Sequence, residues 1–295
     1  MPTIPFADIE AQVGETHRTA EGLRVEAGKV AEFARAVRDP APIYTDADAA
    51  QNAGFDAIPA PPTFTRTAAF PRYRPEGIDA DLGFDLGFEQ ANILHGEQRY
   101  RYDRPLVVGD ELYGETTLED AFQREGRRAD LTFAVLRTDF YDADDERVQS
   151  AWNTRIETSG APSESAETGD PLADPDHSTD PLERRDFVQY AGASGDFNPI
   201  HYDEPFATGA GHPSVFAQGM FTAGVASRVA RERIGLRDLA GFRTRFAAQV
   251  FPDDTLHVAL DATESDEESE NDEDYAVTVK TGEGRTVATG GVTTR

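Results

Sequence analysis

Ser194-Gly195-Asp196-Phe197-Asn198-Pro199-Ile200-His201-Tyr202-Asp203 occurs twice in this 295-residue chain, once intact and once degraded. Shifted back by 157 residues it falls on Val37 to Asp46. There Asp39, Pro42, Ile43 and Asp46 stand opposite Asp196, Pro199, Ile200 and Asp203. The ungapped match carries Val30–Phe64 over Phe187–Phe221 and sets Phe33 against Tyr190. A second block, shifted by 144, sets Tyr102, Asp110 and Leu112 against Phe246, Asp254 and Leu256. A repeat of about 120 residues points to two copies of a whole domain, not to a solenoid of short units.

Both copies read in the same order. A short helix comes first (Val30 to Val37, then Phe187 to Ala193), followed by a Pro/Asp-rich loop. A more apolar helix follows (Phe64 to Phe70, then Val215 to Ile234), and then strands. Arg99–Tyr102, Leu131–Val135, Phe242–Phe246 and Tyr275–Lys280 show the alternation or β-branched enrichment of strands. Gly109-Asp110 and Asp142 to Glu146 are turn signals. Between the copies, residues 158–182 are polar and rich in Ser, Gly, Pro and acid, the composition of a linker. The expected division is therefore 1–157, a linker over 158–182, and 183–295. The second apolar helix is crowded with small residues (Ala217, Gly219, Ala223, Gly224, Ala226, Ser227), which suits close approach by a sheet or a ligand. The acidic run Glu264 to Asp274 lacks the ligand spacing of a calcium loop and reads as a solvated hairpin tip.

Bulk properties narrow the function. A net charge of −27, with Lys29 and Lys280 the only lysines, disfavours nucleic acid and anionic lipid as partners and fits a surface adapted to high salt. No run of about 20 apolar residues is present, and the N-terminus has no secretory pattern, so a cytoplasmic location is expected. The absence of cysteine removes thiolate chemistry. With no His-Glu-x-x-His, GxSxG or phosphate-loop motif, no metal and no cofactor are expected.

The chemistry is concentrated in the opening segment. A helix ends at Gly195, and Pro199 forces Asn198 out of helical geometry. The short loop between them presents Asp196 and His201 together, a carboxylate and an imidazole able to hold one water between them for acid–base work. Asn198 is placed to fix the loop through backbone hydrogen bonds.

Gly195-Asp196-x-Asn198-Pro199-x-His201, continued by Ala217-Gln218-Gly219-Met220 and Ser227, resembles the hydratase motif of the MaoC-like family, which includes the (R)-specific enoyl-CoA hydratases. The first half, through His95 to Asp110, resembles the non-catalytic subunit of the mycobacterial (3R)-hydroxyacyl-ACP dehydratase. The second half resembles its catalytic subunit, so the chain looks like the two fused. The resemblance implies an α+β double hot-dog fold, each unit a long helix wrapped by a curved antiparallel sheet. The two units would form an internal pseudo-dimer, with a homodimer of chains as a further option.

The resemblance also implies roles. Asp196 and His201 hold the catalytic water, the Gly219 backbone N–H binds the thioester carbonyl, and Asn198 and Ser227 orient the site. The substrate implied is an acyl-CoA or acyl-ACP. The reaction is the interconversion of 2-enoyl and (R)-3-hydroxyacyl thioesters, and which of the pair is the base stays open. The family's His-Gly-Met is here Gln218-Gly219-Met220. In the first half Tyr44 replaces the histidine and Ala41 the asparagine, so that half is expected to bind the acyl chain without catalysing. His95 is expected to pack in a strand, and His212 to sit on a surface loop. Three rivals stand beside this reading. A mesaconyl-CoA-type dicarboxylic hydratase would need an arginine facing the acyl tunnel. A thioesterase is disfavoured because Val215 to Val229 carries no carboxylate. A non-catalytic acyl-CoA binding protein would have no need of both Asp196 and His201.

Overall fold

The computed structural model describes residues 2–78, 81–89, 92–125, 130–158, 168–263 and 273–295. In the first half α1 (Phe6–Glu10), β1 (Thr16–Arg24), α2 (Ala27–Ala36) and α3 (Ala47–Asn52) precede β2 (Ile93–Tyr102), β3 (Glu111–Glu125), β4 (Asp130–Tyr141) and β5 (Arg147–Thr158). In the second, β6 (His177–Ser178), α4 (Arg184–Ser194), α5 (Glu204–Gly209) and α6 (Gly219–Ile234) precede β7 (Leu239–Phe246), β8 (Leu256–Ala262), β9 (Tyr275–Thr281) and β10 (Thr286–Thr294).

The described strands form one antiparallel sheet in the order β1-β3-β4-β5-β2-β7-β10-β9-β8-β6. Each half supplies one contiguous block, and the blocks meet where β2 pairs with β7, Tyr100 opposite Phe242. Alternating burial along β3 and β4 shows why these residues are strands: every second side chain faces a core.

The sequence repeat is a structural repeat. Phe33 packs edge-on to Phe64 with ring centroids 5.5 Å apart, and the matched pair Tyr190 and Phe221 does the same at 6.0 Å. Phe33 and Tyr190 meet each other at 5.9 Å, where α2 packs on α4. These fully buried rings belong to a core shared by both halves.

The second apolar helix differs between the copies. In the second half it is α6, packed on β7, β8 and β10, but it starts at Gly219, with Val215 to Gln218 outside it. In the first half the expected helix Phe64 to Phe70 is only a 3-10 turn over Phe64–Ala69. Pro71 accounts for this, because it holds Phe70 extended (φ −110°, ψ 162°). Further along, Leu82, Phe84 and Leu86 join Ile9 of α1 against Leu118 and Leu136 of the sheet in a separate core.

Residues 168–182 run along the second half: Gly169 N–H donates to Gly284 O, β6 pairs with β8, and Thr179 and Leu182 are buried. Residues 159–167 of the expected linker and 264–272 of the acidic run lie outside the described residues. β8 and β9, which flank that run, are antiparallel neighbours. No helix among the described residues is long and apolar enough to cross a membrane.

Candidate active site

The site is built where α4 ends. Gly195 caps the helix in the left-handed region (φ 92°), and a Cβ there would also lie 2.9 Å from Phe70 Cβ. The chain then turns on side-chain caps. Asp196 N–H donates to Ser194 Oγ (3.1 Å). Asn198 Oδ1 accepts from Ile200 N–H (3.3 Å), capping the 3-10 turn Pro199–His201. Asp203 caps α5 through Phe206 N–H (3.1 Å). Asn198 thus holds the loop as its backbone-bonding role requires.

His201 is 8% exposed. Its Nδ1 lies 2.8 Å from the Phe216 carbonyl, and its ring stands edge-on to the Phe216 ring. A carbonyl only accepts, so Nδ1 carries the proton and Nε2 presents a lone pair. Burial pushes the His201 pKa below its ordinary value, and the charge of Asp196 and the Phe216 carbonyl pull back against it. Asp196 and His201 share no direct hydrogen bond or ion pair, yet Asp196 is near enough for its charge to act on the imidazole. The pair therefore combines a carboxylate with a neutral imidazole, each free to bind a third group.

Gly219 is the first residue of α6, whose opening N–H groups have no acceptor within the helix. A Cβ at Gly219 would come within 3.3 Å of the Phe246 ring, so the glycine lets β7 approach. Gln218 joins the helix start to the acid–base loop. Its Nε2 donates to the carbonyls of Phe187 (3.1 Å) and Asp196 (3.4 Å), and its Oε1 is left buried without a partner. This suture was invisible in the sequence, where Gln218 registered only as a departure from His.

Ser227 is buried two turns further along α6, about 12 Å from Gly219 by helical rise. Its hydroxyl donates to Gly224 O (2.8 Å) and makes no hydrogen bond to Asp196, Asn198 or His201. The structure thus gathers Asp196, Asn198, His201 and Gly219, and places Ser227 apart. His95 packs as expected, its ring 4.8 Å from Phe246 and its Nε2 accepting from Asn153 Nδ2 (2.8 Å). The first half therefore packs on the same Phe246 ring that approaches Gly219. The surface position expected for His212 is not found. The residue is buried, its ring lies tilted 4.8 Å from Phe216, and it accepts from Gln249 Nε2 (2.8 Å), because α5 folds its loop inward.

The degenerate copy keeps the loop and loses the chemistry. Ala41 N–H donates to Asp39 Oδ1 (3.1 Å), as Asn198 N–H does to Asp196 Oδ1 (3.4 Å). Tyr44 takes the place of His201 and is fully buried, which raises its pKa further from neutrality. Arg231 of α6 closes on Asp39.

Comparison with known proteins agrees with this architecture. Residues 11–151 match the FAS1-like dehydratase domain region, and residues 166–284 match the MaoC like domain. The UPF0336 protein of Streptomyces avermitilis is 36% identical over 107 residues, 36% of this chain and 69% of that protein. A solved MaoC-like dehydratase superposes with a TM-score of 0.76 at 26% identity, over 97% of this chain and 99% of its own. A Mycobacterium tuberculosis protein described as a double hotdog fold superposes at 0.62 and 16% identity, over 98% of both chains. The chain belongs to the MaoC-like dehydratase family, in its two-hot-dog arrangement.

Proposed function

We propose that the chain interconverts 2-enoyl and (R)-3-hydroxyacyl thioesters, with Asp196 and His201 as the acid–base pair. The observation that carries this reading is the His201 tautomer: Nδ1–H is committed to the Phe216 carbonyl, which leaves Nε2 a free base beside a carboxylate. In hydration, water held by Asp196 and His201 loses a proton to Nε2 as its oxygen attacks C3. The thioester oxygen gains charge and is held by the Gly219 N–H, at the positive end of α6. The imidazolium then returns the proton to C2, so one water is added and the protein is restored. Dehydration is the reverse. Residues 183–295 hold this chemistry, and residues 1–157 supply part of the acyl-chain wall.

The carrier is coenzyme A on this reading. An acyl carrier protein is itself acidic and, at low salt, is repelled by a chain of net charge −27. The test is loss of the ultraviolet enoyl-thioester band of crotonyl-CoA at high salt. Wild type is expected to remove it. Asp196→Asn and His201→Ala are expected to do so about 100- to 10,000-fold more slowly while remaining folded. Near-full activity in either variant refutes the assignment.

A further inference from the structure

Arg66 lies in the 3-10 turn Phe64–Ala69 and is half-buried. Its Nε is fully buried with no hydrogen-bond partner, and among the described residues no carboxylate pairs with it. That is unusual in this chain, where acids outnumber basic residues by 27. Other inward arginines have carboxylate partners: Arg38 has Asp186, Arg155 has Asp81, Arg231 has Asp39 and Arg243 has Glu273.

Arg66 lines a cavity of about 40 Å³ with Thr65, Gln98, Tyr100 and Asn153. That is room for roughly three water-sized groups, the size of a carboxylate. The neighbouring polar groups are mostly engaged. Thr65 accepts from Gln149 Nε2 (2.9 Å), and Asn153 Nδ2 donates to Gln98 Oε1 (3.2 Å). The Tyr100 hydroxyl, like Arg66 Nε, is buried without a partner. Two donors are therefore left unsatisfied, beside one acceptor, Asn153 Oδ1, and a buried donor without an acceptor is costly.

Two chains of contact lead from Arg66 toward the acid–base loop. The Arg66 guanidinium lies 5.1 Å over the Phe70 ring, and Phe70 is the residue packed against Gly195, next to Asp196. Arg66 also acts electrostatically on His95, whose ring packs tilted against Phe246, the ring next to Gly219. An alkyl tail reaching this region would bury a guanidinium and a phenol without partners, whereas a carboxylate would satisfy both.

We infer that Arg66 anchors a carboxylate carried by the acyl group, so the preferred substrate is a short 2-enoyl thioester of a dicarboxylic acid. This rests on the hydratase reading above and narrows its substrate class. The guanidinium binds the carboxylate by charge-assisted hydrogen bonds, and the Tyr100 hydroxyl adds a third.

The experiment compares kcat/KM for the better of mesaconyl-CoA and glutaconyl-CoA with that for crotonyl-CoA. Wild type is expected to favour the dicarboxylic thioester. Arg66→Met is expected to lower the ratio of the two by about 100-fold, the loss typical of a charge-assisted hydrogen bond. Arg66→Lys is expected to restore part of the ratio, keeping the charge without the fork. A ratio unchanged in a folded Arg66→Met, or a wild type that favours crotonyl-CoA, overturns the inference; should Arg66→Met not fold, Arg66→Gln takes its place. Should wild type hydrate no thioester, the hydratase reading fails separately. Calorimetric binding of the same thioesters then decides the subsite: tighter binding of the dicarboxylic one, lost in Arg66→Met, supports it, and equal binding refutes it.

Discussion

Arg231, on the last turns of α6, holds Asp39 of the other half through Nε (3.1 Å) and Nη2 (2.6 Å). Asp39 is the repeat-mate of Asp196, so the same carboxylate serves two ends. In the second half it faces a free imidazole, and in the first it is locked into a buried ion pair. Retaining a buried acid without its histidine requires a counter-charge, and α6 supplies it from across the halves.

Removing that counter-charge should therefore be costly. The Asp39 side chain is 2% exposed, and Arg231→Met leaves it buried and unpaired. A loss of about 3–5 kcal/mol is expected. The double variant Asp39→Asn/Arg231→Met removes both charges and should recover most of it. Urea unfolding at high salt measures both. Equal destabilisation by the single and double variants would show that packing, not charge, holds the halves here.

The pH profile should report His201. Burial lowers its pKa, so it is the free base at neutral pH, and hydration should fall only on the acid side as Nε2 gains a proton. The charge of Asp196 raises that pKa against burial. Asp196→Asn removes the opposing influence, so the residual acid limb should move to lower pH. The check is kcat/KM against pH for wild type and variant. A limb displaced toward higher pH contradicts the arrangement.

Much of this was legible in the chain, for a physical reason. The loop residues act on near neighbours: Asn198 caps Ile200 and Asp203 caps Phe206, contacts that spacing alone predicts. The repeat itself was legible, setting Phe33 against Tyr190, and the structure adds that each packs on its own half's Phe64 or Phe221. What was not legible depends on groups distant in sequence. Arg231 reaches Asp39 from 192 residues away, and Gln218 reaches Asp196 from 22 residues away, across α5. Arg66 resembles any other arginine until its surroundings show that no acid faces it. The first-half helix failed for a local reason that the sequence did contain: Pro71 shortens it to a 3-10 turn.

Gln218 should act as a positioning residue. Its amide fixes the Asp196 carbonyl and the start of α6 at once. Gln218→Leu keeps the bulk and removes the amide donor from the Phe187 and Asp196 carbonyls, at about 1–3 kcal/mol in stability. Because the aim of the Gly219 N–H depends on this suture, kcat should fall about tenfold or more, with KM little changed. A loss confined to KM would place Gln218 in substrate binding instead.

Packing between the halves should be as exacting as their charges. A Cβ on Gly224 would run into Val37 Cγ1 and lie 2.9 Å from Val37 Cβ. Both residues are fully enclosed, so the neighbour cannot move into solvent. Gly224→Ala should therefore destabilise the chain by roughly 1–3 kcal/mol through overpacking, despite the gain in helix propensity. Val37→Ala alone should also destabilise it, by opening a cavity. The two together should cost less than their sum, because the new methyl fills the space that Val37 vacates. Thermal unfolding of the four proteins gives the coupling. Strict additivity would mean that α6 and the end of α2 do not share that space, and that the close contact between the halves lies elsewhere.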